Sequence, residues 1–249
     1  MNQEVLKHIE PITLEEMSDV KLMNRVDTKF LTTLPVLERL LSVANKDFLI
    51  QEINEERNAP YYTKYFDTSD VKMYCDHQRG KKSRRKIRIR KYVGSDIHPF
   101  LEIKNKNNKG RTKKKRISMD SGPDLQVYSE FISTHSEFMS NGLQPMLENR
   151  FNRITLVNKE KTERITIDTS VEFHNFVTDR NIALPELVII EWKRDGLSTK
   201  SKLKPLLREL RIQESGFSKY IIGMALTDNN LPQNRIKPRL RLLDKLIGR

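Results

Sequence analysis

Cysteine is almost missing from this sequence: Cys75 is the single one among 249 residues. An internal disulfide and a zinc site built from several thiolates are both excluded. Long apolar runs are missing too, and none approaches the ~20 residues of a membrane-spanning helix. The opening "MNQEVLKHIEPITLEE" has no apolar core of a signal peptide. These absences lead us to expect a cytoplasmic protein. Common catalytic signatures are absent as well. "RGKKS" lacks the upstream glycine of a phosphate-binding loop, and there is no G-x-G-x-x-G, H-E-x-x-H or G-x-S-x-G. The five histidines are dispersed, and His77 and His174 read as surface residues.

What the sequence has is positive charge. Lys and Arg number 46 against 33 Asp and Glu, a net charge of +13. Such a field favours polyanions: nucleic acid, anionic lipid or phosphate-rich small molecules. Charged residues make up 32% of the chain and hydrophobic ones 37%, enough for the core of one large domain.

Punctuation by Pro, Gly and Asn divides the chain into short elements. A helical turn or two is expected around "LEEMSDVKLM", then a strand over Arg25–Thr33. Pro35 opens an amphipathic helix, "PVLERLLSVANKDF", with Val36, Leu37, Leu40, Leu41 and Ala44 at helical spacing. An aromatic strand, "YYTKYFDTSD", precedes a short helix ending near Gly80. Strands follow over Arg84–Tyr92, His98–Lys106 and Lys113–Asp120. A helical insert spans about 123–142. Further strands are expected at Pro145–Val157, Arg164–Asp168 and Leu187–Lys193, the first two joined as a hairpin through "NKEKT". A last helix is expected over Ser198–Gln213. The basic, amphipathic end "NRIKPRLRLLDKLIGR" divides the chain into a domain over 1–230 and a tail over 231–249. That tail could lie on an anionic membrane, meet a membrane-protein partner, or pack across one end of the domain.

The informative signal is alternation. In "KIRIR", Lys86, Arg88 and Arg90 share one face of a strand, and Ile87 and Ile89 share the other. "FLEIKNK" repeats this with Glu102, Lys104 and Lys106 against Leu101 and Ile103. "VDTKF" places Asp27 with Lys29, "FNRITL" presents Arg153, "ERITID" places Arg164 with Asp168, and "IIEWK" places Glu191 with Lys193. One such strand would read as a solvated polar face. Repetition costs more, because like charges opposite one another on adjacent strands repel. A phosphate-rich ligand would offset the repulsion, and a divalent metal would account for the interspersed carboxylates.

Together "RVDTKFL", "YYTKYFDT", "RRKIRIRKY", "FLEIKNK", "ENRFNRITL", "ERITIDT", "LVIIEWK" and "GFSKYIIG" resemble successive motifs of the polyphosphate polymerase (VTC) domain, a branch of the triphosphate tunnel, or CYTH-like, metalloenzymes. The resemblance runs from about residue 20 to 228. It implies an α+β fold: an antiparallel eight-stranded β-barrel, the triphosphate tunnel, lined with Lys and Arg and covered by helices outside. It implies Lys29, Arg88, Arg90, Lys104, Arg153, Arg164 and Lys219 as catalytic phosphate-holding residues, the last as the lysine of the final strand. Glu191 corresponds to the metal-binding glutamate, for Mn²⁺ or Mg²⁺. Lys86, Lys106, Lys193 and Ser218 share faces with these or adjoin them, and are weaker candidates. Hydrolytic relatives open with E-x-E-x-K, where this chain has Arg25, Asp27 and Lys29; that fits the polymerase branch better than a two-metal hydrolase. The membrane helices and phosphate-sensing domain of eukaryotic assemblies are not found, so a stand-alone bacterial catalytic domain is expected.

The implied activity is transfer of the ATP γ-phosphate onto a polyphosphate chain, with ATP and polyphosphate or triphosphate as partners and no DNA. Two alternatives stay open. One is a hydrolase of tripolyphosphate or nucleoside triphosphates. The other is a non-catalytic polyphosphate- or RNA-binding module, supported by "NKNNKGRTKKKR" but not by the aromatics, which do not interleave with the basic runs.

Overall fold

The computed structural model describes residues 4–19, 25–94, 96–109, 111–196 and 201–248. In chain order the elements are α1 (Glu4–Lys7), β1 (Pro11–Ile12), β2 (Arg25–Thr33), α2 (Leu34–Ala44), β3 (Phe48–Gln51), β4 (Ala59–Asp67), α3 (Lys72–Gln78), β5 (Arg84–Tyr92), β6 (Phe100–Lys106) and β7 (Thr112–Ser118). They continue with α4 (Ser129–His135), β8 (Gln144–Asn158), β9 (Glu163–Asn175), β10 (Asn181–Leu184), β11 (Leu187–Asp195), α5 (Leu203–Glu209), α6 (Lys219–Thr227) and α7 (Lys237–Ile247).

Eight strands form the main sheet in the order β2-β11-β9-β8-β4-β5-β6-β7, and every neighbouring pair is antiparallel. The sheet curls strongly. Four strands lie between β2 and β5 in that order, yet the charge of Lys29 acts on Lys86. The two end strands, β2 and β7, are not paired with each other, so the sheet is a curled half-barrel. Residues 214–218 link β2 to β5. Glu214 bridges to Phe30 of β2, the Ser215 amide donates to the Lys29 carbonyl at 2.8 Å, and the Ser218 hydroxyl meets Lys86 of β5.

Helices cover the convex face, as the alternation predicts. Ile87, Ile89, Leu101 and Ile103 are buried in one cluster with Leu125, Tyr128 and Ile132 of the 123–142 insert. Ile154, Leu156, Ile165, Ile167, Val188 and Ile190 are buried in a second with Leu37, Leu40 and Leu41 of α2 and Leu203 and Leu207 of α5. Burying a large aliphatic side chain is worth roughly 1.5–3 kcal/mol, so these clusters fix which face stays polar.

Several boundaries differ from the sequence reading. The helix from Pro35 ends at Ala44, because "FLIQ" leaves it to pair as β3 with β8. The last predicted helix shrinks to Leu203–Glu209; residues 198–200 of the expected span, and 20–23 of the first one, lie outside the described residues. The larger correction concerns "GFSKYIIG". Lys219 does not sit on a final strand; it is the first residue of α6, with Ser218 capping that helix. Nearly all of α6 is buried, so it has no amphipathic period to read. Gly223 is what lets it dock: a Cβ there would lie 2.5 Å from Leu147 Cδ2 and 2.6 Å from Phe173 Cδ1.

α7 lies on the barrel as well. Leu243 is buried in the first cluster, and Leu240, Leu246 and Ile247 pack against it. The apolar side of the tail is thus laid on the domain core.

Candidate active site

Strand register sets the site out in rows across the concave face. In the first row Lys29, Glu191, Thr166 and Thr155 stand opposite one another on β2, β11, β9 and β8. Lys29 Nζ donates to Glu191 Oε1 and Lys193 Nζ to Glu191 Oε2. Lys193 also reaches Thr166 Oγ1 at 3.1 Å. Burial alone would raise the Glu191 carboxyl, but the two ammonium groups outweigh it and hold the group well below the usual carboxylate range.

In the next row Asp168 faces Arg153. The guanidinium grips it with two bonds, Nε to Oδ1 at 2.6 Å and Nη2 to Oδ2 at 2.8 Å. Lys219 Nζ, projecting from the start of α6, donates to the same Oδ2. Burial lowers the Lys219 pKa to about 8 despite Asp168, with Arg153 and Arg90 adding to the effect. Arg164 stands opposite Lys193 one row further out.

On β5 and β6, Arg88 faces Glu102. Nε and Nη2 of Arg88 both donate to Glu102 Oε2, at 2.8 and 2.6 Å, and Lys114 of β7 takes Oε1 at 3.2 Å. Beside this pair lies a row with no carboxylate in it: Lys86, Lys104 and Lys114 stand directly opposite one another on β5, β6 and β7. Burial, then the charges of Arg84, Arg88, Lys29 and Lys106, push the Lys86 ammonium down to about 7. Lys104 is pushed well below its ordinary value, first by Arg88 and then by burial. Arg90 stands opposite Phe100 and Thr63, its Nε buried and unbonded and its guanidinium 5.7 Å from the centre of the Tyr61 ring. Burial and the neighbouring Arg88 and Arg153 lower its pKa to about 10.

The predicted residues are thus gathered on one face. Lys29, Lys86, Arg88, Arg90, Lys104, Arg153, Lys193, Lys219 and Glu191 form a continuous set, with Ser218 touching Lys86 at 2.9 Å. Lys106, opposite Arg84, is at its margin. Sequence reasoning did not single out Lys114 or Arg116. The run "TKKKR" hides its own alternation, and the signal was the register of the β6–β7 hairpin, which sets Lys114 beside Lys104 and Arg116 beside Glu102.

Glu191 fits a divalent ion only in company. Among the described residues no three His, Cys, Asp or Glu side chains cluster as metal ligands, and Asp168 and Glu102 are committed to guanidinium groups. A Mg²⁺-like ion uses one or two carboxylates and takes further oxygens from phosphates, so Glu191 can anchor such an ion when a phosphate chain supplies the rest. A pre-formed metal centre is not present among the described residues.

A curled antiparallel sheet with a cation-lined concave face and outer helices defines the triphosphate tunnel class. The solved structures agree on the fold. An adenylyl cyclase candidate from Hippeastrum with a dominant triphosphatase activity is 14% identical, covers 84% of this chain and 98% of its own, and superposes with a TM-score of 0.53. An adenylate cyclase candidate from Bacillus halodurans is 14% identical over 80% of this chain and 98% of its own, with a TM-score of 0.50. Comparison with curated proteins gave no match. Within the class, residues 24–228 match the VTC domain, and the chain belongs to that family. No described helix is long and apolar enough to cross a membrane.

Proposed function

We propose that this chain is a phosphotransferase that moves the γ-phosphate of ATP onto a polyphosphate chain. The observation that carries the reading is the lysine row. Lys86, Lys104 and Lys114 face one another in a row that holds no carboxylate; Lys114 alone reaches an acid, Glu102 of the next row, and Glu191, Asp168 and Glu102 are already held by Lys29, Arg153 and Arg88. A condensed phosphate supplies the missing negative charge along a line, which a single small anion does not.

Phosphoryl transfer needs alignment and charge neutralisation more than covalent help from the protein. Arg88, Arg90 and Arg153 present guanidinium forks, which suit phosphate oxygens. Lys29, Lys86, Lys104 and Lys219 add point charges, and Arg164 extends the line. Glu191, Asp168 and Glu102 do not serve as bases, because their cations hold all three ionised far below neutrality. None is needed, because a terminal phosphate is ionised already and is its own nucleophile. A Mn²⁺ or Mg²⁺ ion held by Glu191 would neutralise phosphate charge during transfer.

A second reading is hydrolysis of tripolyphosphate or nucleoside triphosphates, favoured by the triphosphatase activity of the Hippeastrum protein. Purified protein incubated with ATP and Mn²⁺ distinguishes the two by product length. Long chains support transfer, and orthophosphate or pyrophosphate alone supports hydrolysis. No turnover, with tripolyphosphate still raising the melting temperature, leaves a binding module. Neither turnover nor a thermal shift would remove the phosphate reading altogether. Glu191→Gln is expected to abolish turnover and keep the fold.

A further inference from the structure

A second group of cations lies beside the lining and outside the site described above. On β5, Arg84 precedes Lys86 by two residues and so shares its face. On the segment leading into α6, Gly216 precedes Ser218 by two. Ser218 touches Lys86, and Gly216 lies against Arg239 of α7: a Cβ at Gly216 would stand 3.2 Å from Nη2 and 3.4 Å from Cζ. Gly80, at the end of α3 with φ +74°, lies against the guanidinium of Arg235 in the same way. Two glycines thus seat two arginines by direct backbone contact, where a larger side chain would displace them.

Among the described residues no carboxylate forms an ion pair with Arg84, Arg235 or Arg239. Arg84 donates to the Lys81 carbonyl at 3.1 Å. The charges acting on it are those of Arg235 and Arg239, which with burial lower its pKa. His77 of α3 stands among them with Nδ1 buried and unbonded. After burial, Lys86, Arg84, Arg239 and Arg235 together press its imidazole down to about 3. Cations brought together with no anion, at the margin of a cation-lined channel, form a place for one.

We propose that Arg84, Arg235 and Arg239 are an outer station for condensed phosphate, gripping the part of a long polyphosphate chain that continues from the lining past Lys86. This rests on the phosphate reading of the lining. It gives the C-terminal segment a task of its own: α7 spends Leu240, Leu243, Leu246 and Ile247 on the core, and the segment presents Arg239 from α7 and Arg235 from just before it. The ligand is a linear phosphoanhydride rather than a nucleotide, because the station is all cation, with the His77 imidazole its one ring.

The test compares two probes, tripolyphosphate and long-chain polyphosphate, by calorimetric titration. The proteins are the full chain, Arg235→Gln/Arg239→Gln, Arg84→Gln, and a control, Arg180→Gln/Lys204→Gln, which removes two exposed charges elsewhere. In the double variant, long-chain affinity is expected to fall about tenfold more than tripolyphosphate affinity, the scale of one or two charge-assisted bonds. Arg84→Gln, which leaves the tail intact, is expected to shift the same ratio. Equal losses for both probes, or the same ratio in the control, would mean a general field effect and overturn the station. So would unchanged long-chain binding with lost binding to anionic phospholipid vesicles, which would assign the arginines to a membrane surface. A parent protein that binds neither probe removes the phosphate reading itself, whereas one that binds tripolyphosphate but gains nothing from a longer chain removes the station alone.

Discussion

Replacing Lys86 by methionine is expected to stabilise the free protein while weakening it as a phosphate binder. The ammonium falls from an ordinary 10.5 to about 7 because it is buried and faced by Arg84, Arg88, Lys29 and Lys106. At about 1.4 kcal/mol per pKa unit, holding it protonated near neutral pH costs the fold about 5 kcal/mol at most. Residual solvent screening and the Ser218 hydrogen bond bring the expected net gain from Lys86→Met to about 2 kcal/mol. For a chain of this length that is a rise of roughly 4–8 °C in melting temperature. The pH dependence carries the sign. A lysine whose folded pKa is lowered binds fewer protons folded than unfolded between about 7 and 10.5. The parent protein therefore gains stability as pH rises through that interval, and Lys219, lowered to about 8, adds to the gain. Melting curves at pH 7 and pH 9.5, with and without tripolyphosphate, read all of this. In the variant the free protein melts higher at pH 7, gains less at pH 9.5, and is shifted less by tripolyphosphate. A variant that melts lower than its parent at pH 7, with the same alkaline gain, would refute the claim that the lysine row is held against its own repulsion.

Two further perturbations separate scaffold from ligand. Asp168→Asn removes the carboxylate shared by Arg153 and Lys219 and is expected to cost about 3–5 kcal/mol; because phosphate can take the vacated cations, tripolyphosphate should raise the variant's melting temperature more than the parent's. Gly223→Ala forces a methyl against Leu147 and Phe173 and is expected to cost about 1–3 kcal/mol by denaturant titration, with tripolyphosphate affinity falling too, since α6 carries Lys219.

The strands and their polar face were legible because period two is a local property. β2 and β5 have the bounds read from the sequence, and Lys86, Arg88 and Arg90 do share one face. What joins one strand to another was less legible. That Glu191 is held between Lys29 and Lys193, or Asp168 between Arg153 and Lys219, depends on register and on a helix packed against the sheet. Tyr220, Ile221 and Ile222 suit a strand locally, as the resemblance implied, whereas the chain forms a helix whose Gly223 sits against Leu147 and Phe173. His77 read as a surface residue for the same reason: the cations around it come from β5 and from the C-terminal segment.

The gap between β2 and β7 has a mechanical consequence. Elsewhere neighbouring strands are zipped by ladders of backbone hydrogen bonds, and separating them means breaking several at once. Between β2 and β7 there is no such ladder; residues 214–218 tie β2 to β5 instead, by one bridge to β2, the Ser215–Lys29 bond and the Ser218–Lys86 contact. The wall around the lining therefore has a seam, and the seam is its cheapest place to part. A long anion could be laid into the groove from the side, with no free end to thread, and the segment that moves aside would carry Ser218 and the start of α6 with it.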